Sequence, residues 1–182
     1  MTIATKTFAL LFVVLCMSTA SGVNLDAAPA KAEVQLAEGS SDISVGDKTV
    51  RVVRAHVGTS NAHSYETFTG FLLPRHSGDP WLHVMVDEPD GTLSDFRTVE
   101  SADSTVQAIA IYRDHNRLFV VQATKGGIGA PDLYLKKTRV NFSVYQFNED
   151  IDMPRFKRQK TLESTSTYLN ADDALANEFF SK

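Results

Sequence analysis

The chain has 182 residues and a formal net charge of −4, and 43% of its residues are hydrophobic. This length suits one domain with a proper core. The largest basic cluster, at residues 155–160, is short and follows Asp150 and Asp152. Surfaces that bind nucleic acid are more basic and more extended, so the composition argues against that class.

The first twenty residues have the order of a secretory signal peptide. Lys6 precedes an apolar run from Phe8 to Met17, and small residues follow it. The run is shorter than the about 20 apolar residues of a transmembrane helix. We predict a signal peptide over residues 1–20, a flexible spacer over 21–32 and one β-rich domain over 33–182. Cleavage after Ala20 and cleavage after Ala30 both fit the pattern.

Cys16 is the one cysteine, and it lies inside the predicted signal peptide. The mature protein would then contain no thiol, which excludes thiol catalysis and zinc–thiolate sites. An exported protein without disulfides fits a bacterial periplasm better than a eukaryotic cell surface. We therefore predict a periplasmic or secreted bacterial protein that has no membrane span once the signal peptide is removed.

Most of the remaining chain alternates between short strand-like runs and turns. A turn is predicted at 39–41, and a hairpin loop at 114–116. The predicted strands cover residues 33–36, 43–45, 49–57, 65–73, 81–86, 95–99, 105–112, 118–123, 139–147 and, with the weakest pattern, 156–165.

The run 139–147 has the clearest alternation of the chain. Val140, Phe142 and Val144 fall on one face of the predicted strand, and Tyr145 and Phe147 fall on the other. Because alternate residues of a strand point to opposite faces, this pattern indicates a strand buried on both sides.

The last residues predict a short helix over 170–180. Asn170 is a good N-cap residue, and Asp172 favours the positive end of the helix dipole. Leu175 and Phe179 have the spacing of a packing face. Many short strands with one terminal helix predict a mainly β protein, either an antiparallel β-sandwich or a strongly bent sheet with a short C-terminal helix.

Several catalytic motifs are missing from the sequence. There is no G-x-S-x-G, and no serine has a lysine three residues later. A Ser/His/Asp triad assembled from distant residues stays open. The glycine-rich loop at 126–129 leads into Pro131, so we expect a mobile hairpin loop and no helix that could bind phosphate.

Two of the five histidines flank one polar turn. His56 and His63 could meet across it, and Glu66 would be the third ligand of a metal site. Loop histidines held by backbone hydrogen bonds would explain the same pattern without a metal ion. We expect no cofactor and no resident metal, and we keep a metal-dependent hydrolase as an alternative.

Two stretches of the chain carry a family resemblance. Residues 54–71 read R-A-H-V-G-T-S-N-A-H-S-Y-E-T-F-T-G-F, and residues 168–179 read Y-L-N-A-D-D-A-L-A-N-E-F. Together they resemble the CpmH-like family of carbapenem biosynthesis and intrinsic-resistance proteins, relatives of CarF and CarG. The chain departs from the family pattern at Tyr65, where phenylalanine is expected. It also departs at 102–104, where a run ending in cysteine is expected.

The resemblance implies an exported, non-catalytic immunity protein that gives tolerance to a β-lactam or binds it. It assigns ligand binding to His56, Asn61, His63, Ser64 and Tyr65. The same Asn, Ser and His side chains would also hold a tight turn through bonds to nearby backbone groups. The partner would be a β-lactam or a periplasmic protein. An interaction module that binds a periplasmic protein is therefore the first alternative function.

Overall fold

The computed structural model describes residues 31–149 and 153–181. The predicted signal peptide and the spacer up to residue 30 lie outside the described residues. The strands are β1 (Ala32–Glu33), β2 (Gly39–Val45), β3 (Lys48–Val57), β4 (Tyr65–Leu72), β5 (Leu82–Asp87), β6 (Leu93–Ser94), β7 (Phe96–Arg97), β8 (Val99–Glu100), β9 (Thr105–Asp114), β10 (Arg117–Lys125), β11 (Val140–Asn148) and β12 (Arg155–Glu163). The helices are α1 (Asp132–Leu135) and α2 (Ala171–Ala174), and a π-helical turn (Leu175–Phe179) continues α2.

The strands form one curled, open sheet with the shape of a half-barrel. Its order is β1-β9-β10-β11-β12-β5-β4-β3-β2. The prediction of a mainly β fold with a strongly bent sheet and a short C-terminal helix is confirmed. One strand pair of the sheet is parallel, since β12 runs in the same direction as β5 along Arg155–Lys157. A hairpin forces the strands that it joins to run antiparallel. Because no hairpin joins β5 and β12, these two strands can pair in parallel.

The short strands β6, β7 and β8 replace the single strand predicted at 95–99. β6 pairs with β5, β7 with β4, and β8 with β9. This segment therefore crosses from one half of the curled sheet to the other. The predicted turn at 39–41 is also wrong, since Gly39 begins β2 and is paired with Arg54 of β3.

The sheet buries side chains on both faces of β9, β10 and β11. Its concave face holds a core drawn from both halves of the sheet, including Val50, Phe68, Phe96, Ile111 and Tyr145. Its convex face packs against the C-terminal helix, with Phe142 and Val144 in the same cluster as Leu175 and Phe179. The two predicted faces of the 139–147 run and the predicted packing face of the helix are confirmed.

The helix ends differ from the sequence expectations. Asn170 occupies the N-cap position but makes no side-chain cap. Its Oδ1 accepts a hydrogen bond from the Thr105 backbone N–H instead, at 3.3 Å. The four-residue helix α1 does follow the glycine-rich loop, where no helix was expected. No helix in the described part of the chain is long and apolar enough to cross a bilayer.

Candidate functional site

The concave face of β9–β12 is apolar at one end and polar at the other. Directly paired residues share a face. The register therefore places Ile111, Val120 and Tyr145 together at the apolar end. At the polar end it aligns Gln107, Gln122, Thr124, Asn141, Ser143, Thr161 and Glu163. The interior of the half-barrel thus changes from a packed core into a row of amides, hydroxyls and one carboxylate.

A cleft of about 500 Å³ lies between this polar end and the crossing segment β6–β7. Its volume falls in the range of about 300–1,000 Å³ that small-molecule sites occupy. It is lined by Tyr65, Thr67, Glu88, Ser94, Asp95, Phe96, Arg97, Gln107 and Gln122.

Internal hydrogen bonds fix the walls of this polar cleft. The Gln107 amide donates to the Arg97 carbonyl at 2.8 Å and accepts from the Thr124 hydroxyl at 3.1 Å. These bonds hold the crossing segment against β9 and β10. The Glu88 carboxylate accepts from the Tyr145 hydroxyl at 3.3 Å. Burial, and secondarily the Glu88 charge, raise the pKa of Tyr145 to about 12, so the phenol stays protonated near neutral pH.

Arg97 and Gln122 are among the polar cleft side chains that have no protein partner in the described part of the chain. Neither the Arg97 guanidinium nor the Gln122 side-chain amide makes a hydrogen bond or ion pair with any residue in 31–149 or 153–181. A guanidinium binds a carboxylate through two parallel hydrogen bonds. An amide side chain both donates and accepts. The cleft therefore offers groups suited to a ligand with a carboxylate and a carbonyl or amide.

The described residues do not assemble a hydrolytic triad around His83, the histidine that contacts Asp95 of the cleft. His83 Nε2 lies 2.9 Å from Asp95 Oδ1. Within the described ranges, no serine hydroxyl is hydrogen-bonded to His83. Those ranges also contain no group of three or more His, Cys, Asp or Glu side chains that could hold a metal ion.

Of the five predicted ligand-binding residues, only Tyr65 lines the polar cleft. Asn61 Oδ1 accepts from the Thr59 hydroxyl at 2.7 Å and from the His63 backbone N–H at 2.8 Å. This arrangement is an Asx turn, and Ser60 beside it has a φ of 58°. Asn61 thus shapes the loop that precedes β4.

The remaining three residues lie along the same loop and the end of β3. His63 Nδ1 is 3.3 Å from the Glu100 carbonyl oxygen, which attaches the loop to β8. His56 is exposed, and its backbone N–H donates to Glu38 at 3.1 Å. Ser64 is half-buried beside Tyr65. Ligand binding at His56, Asn61, His63, Ser64 and Tyr65 stays a prediction. The contacts of Asn61 and His63 support a role in forming the turn.

The metal alternative meets a specific obstacle at its third ligand. Glu66 is ion-paired with Arg54 at 2.5 Å, and its backbone N–H donates a hydrogen bond to the Thr98 hydroxyl oxygen at 2.8 Å. A metal at this position would have to displace the Arg54 guanidinium. The geometry therefore gives the metal-dependent hydrolase no support.

Sequence reasoning missed the two glutamines of the cleft, although their strands were predicted. Gln107 shares a face with Ile109 and Ile111, and Gln122 shares one with Val120. A polar residue on an otherwise apolar strand face is the signal that could have found them. No local sequence pattern could have predicted that they lie near Arg97, because that proximity depends on the path of the crossing segment.

These features define a mainly β half-barrel protein with a ligand-sized polar cleft at its open end. Among solved structures, the crystal structure of CarG has this fold, with a TM-score of 0.64 and 20% sequence identity. The match covers 80% of this chain and 94% of CarG. No family model and no curated protein sequence matches the chain. At this identity the likeness establishes a CarG-like fold.

Proposed function

We propose that this protein is an exported, non-catalytic protein that binds a carbapenem-type β-lactam and thereby gives tolerance to it. The observation that carries the proposal is the CarG-like fold, which extends over 94% of CarG. The resemblance of residues 54–71 and 168–179 to the carbapenem-resistance proteins also supports it.

The chemistry of the polar cleft agrees with this ligand class. A carbapenem is a compact bicyclic molecule that carries a carboxylate and a lactam carbonyl. Arg97 would bind the carboxylate, and the Gln122 amide would donate to the carbonyl. Within residues 31–149 and 153–181, no serine is hydrogen-bonded to His83 and no metal-ligand cluster is present. We therefore propose that the drug is held intact and that tolerance comes from sequestration.

The test is a thermal-shift titration of the mature protein with imipenem, combined with chromatography of the drug. A ligand that binds the native state stabilises it by about 2.7 kcal/mol at a hundred times its Kd. For a domain of this size, each kcal/mol raises Tm by about 2–4 °C. We expect a Tm increase of about 5–11 °C at saturation and an unchanged drug peak.

Matched variants locate the site. Arg97→Ala and Gln122→Ala should each reduce the shift. Arg75→Ala should not, because Arg75 is exposed, lies outside the polar cleft and is ion-paired with Asp47. A wild-type Tm unaffected by millimolar drug would contradict the proposal, and loss of the drug peak would indicate hydrolysis instead.

Export is part of the proposal and has its own test. The first twenty residues, fused to a reporter that is active only in the periplasm, should give activity in a bacterial host. A matched fusion in which Leu11 and Val13 are changed to Asp should give none, since a charged run cannot form the apolar core of a signal peptide.

A further inference from the structure

The last strand of the sheet has an edge that is open along most of its length. β12 pairs with β11 throughout, but with β5 only at Arg155–Lys157. β5 ends at Asp87, which is opposite Lys157. Beyond that point, no strand among the described residues pairs with this edge of residues 158–163.

The hydrogen-bond pattern identifies the backbone groups that the open edge presents. The Ser164 N–H donates to the Val140 carbonyl at 2.8 Å, so these two residues form a bonded pair. In an antiparallel ladder, bonded and non-bonded pairs alternate. Leu162 therefore bonds to β11, whereas the N–H and C=O groups of Thr161 and Glu163 point away from it. Those groups are free to pair with a further strand.

The side chains of this edge are exposed and basic. Residues 158–163 are exposed on both faces of the strand. Lys157, Arg158 and Lys160 make no ion pair in the described part of the chain, whereas Glu163 is paired with Arg139 at 2.9 Å. The strip is thus net positive on a chain whose overall charge is −4.

This charge selects among the possible occupants of the edge. A second copy of the chain would place cations opposite cations across the new ladder, and like charges opposite each other destabilise a strand pair. Lysines on an edge strand, and bulges such as the irregularity beside Gln159, also disfavour edge-to-edge pairing between two copies of a chain. An acidic strand would instead place its carboxylates opposite these unpaired cations, and opposite charges stabilise a strand pair.

We propose that the open edge of β12 binds an extended acidic segment of a partner protein by strand addition. The backbone of Thr161 and Glu163 supplies the ladder, and Lys157, Arg158 and Lys160 supply the charge preference. This interaction is separate from ligand binding in the polar cleft. It gives the interaction-module alternative a defined surface and a defined partner chemistry.

The first experiment uses a fluorescein-labelled peptide of alternating glutamate and valine, about ten residues long, in fluorescence anisotropy with the mature protein. A lysine–valine peptide is the control. We expect the acidic peptide to bind at least about tenfold more tightly than the basic one. Its affinity should fall as salt is raised from about 50 to about 300 mM, because salt screens exposed charges.

Two variants separate the backbone from the charge contribution. Thr161→Pro removes an outward N–H and leaves the bonds to β11, and Pro is tolerated at such edge positions. It should weaken acidic-peptide binding at least about tenfold, whereas Thr161→Val, which keeps the N–H, should stay within about twofold. The double charge reversal Lys157→Glu and Lys160→Glu should reverse the preference, so that the basic peptide binds more tightly than the acidic one. This variant tests the proposal even if the proline variant unfolds.

Three results would overturn the proposal. One is equal or absent binding of the two peptides. Another is a proline variant that folds and binds as well as the valine variant. The third is a concentration-dependent dimer, seen by sedimentation, that Thr161→Pro abolishes, since this would assign the edge to a second copy of the chain.

Discussion

Replacing Glu178 with alanine should destabilise the protein more than any change of an exposed carboxylate. The residue is only 6% exposed. Its carboxylate accepts hydrogen bonds from the Thr165 N–H at 2.7 Å, the Thr165 hydroxyl at 2.9 Å, the Ser166 N–H at 3.3 Å and the Tyr168 hydroxyl at 3.3 Å. It thereby ties the C-terminal helix to the loop that follows β12.

The size of the loss follows from the donors that the truncation would leave without a partner. Each buried donor that loses its acceptor costs about 1–3 kcal/mol. Two of these donors are backbone N–H groups, which cannot turn toward another acceptor. Thr165 and Ser166 are exposed residues, so water can replace part of what is lost. We therefore apply the lower part of that per-donor range to each of the two N–H groups. The expected total decrease in the free energy of unfolding is about 2–3 kcal/mol.

Urea denaturation followed by circular dichroism measures this change directly. In a thermal scan the same loss lowers Tm by about 4–12 °C. Glu163→Ala is the matched control, because Glu163 forms an ion pair in which both side chains are more than half exposed. Such pairs contribute about 0–1 kcal/mol. If both variants lost less than about 1 kcal/mol, the argument that Glu178 clamps the helix would be refuted.

Three further predictions concern the core and its titration. Burial lowers the pKa of Lys125 below 10.5, so between its folded and unfolded pKa values the unfolded chain binds more protons. Urea denaturation should therefore show wild-type stability rising as the pH approaches 10.5, relative to Lys125→Met. Because the pKa of Tyr145 is raised to about 12, the stability contributed by its neutral phenol is present below pH 10 and is lost as the pH rises through about 12. Tyr145→Phe should remove one phenolate absorbance step near pH 12 and cost about 0.5–1.5 kcal/mol by losing the bond to Glu88. Phe156→Ala should cost about 3–5 kcal/mol in chemical denaturation, since Phe156 is 2% exposed and packs against Phe96 and Phe147.

The parts of the fold that were predictable from the sequence are those with local periodicity. The alternation of 139–147 identified both buried faces of β11, and the spacing of Leu175 and Phe179 identified the packing face of the helix. Tyr168 and Glu178, near the two ends of the 168–179 stretch, are hydrogen-bonded to each other.

The parts that were not predictable depend on contacts between distant strands. The two-residue strands β6–β8 exist only because they pair with β5, β4 and β9, and no local propensity specifies such pairing. The polar cleft has the same origin, since Arg97 and Gln107 meet through that segment. The polar turn with Asn61 and His63 stood out in the sequence, and its observed contacts are those of a turn attached to β8.

The most direct test of the central claim is a calorimetric titration of the mature wild-type protein and the Arg97→Ala variant with imipenem, with the drug recovered afterwards. We predict one intact drug molecule bound per wild-type chain and at least about tenfold weaker binding to Arg97→Ala, as the loss of a charge-assisted carboxylate contact requires. Absence of heat with both proteins, or equal affinity for both, would contradict the assignment of the polar cleft as a carbapenem site.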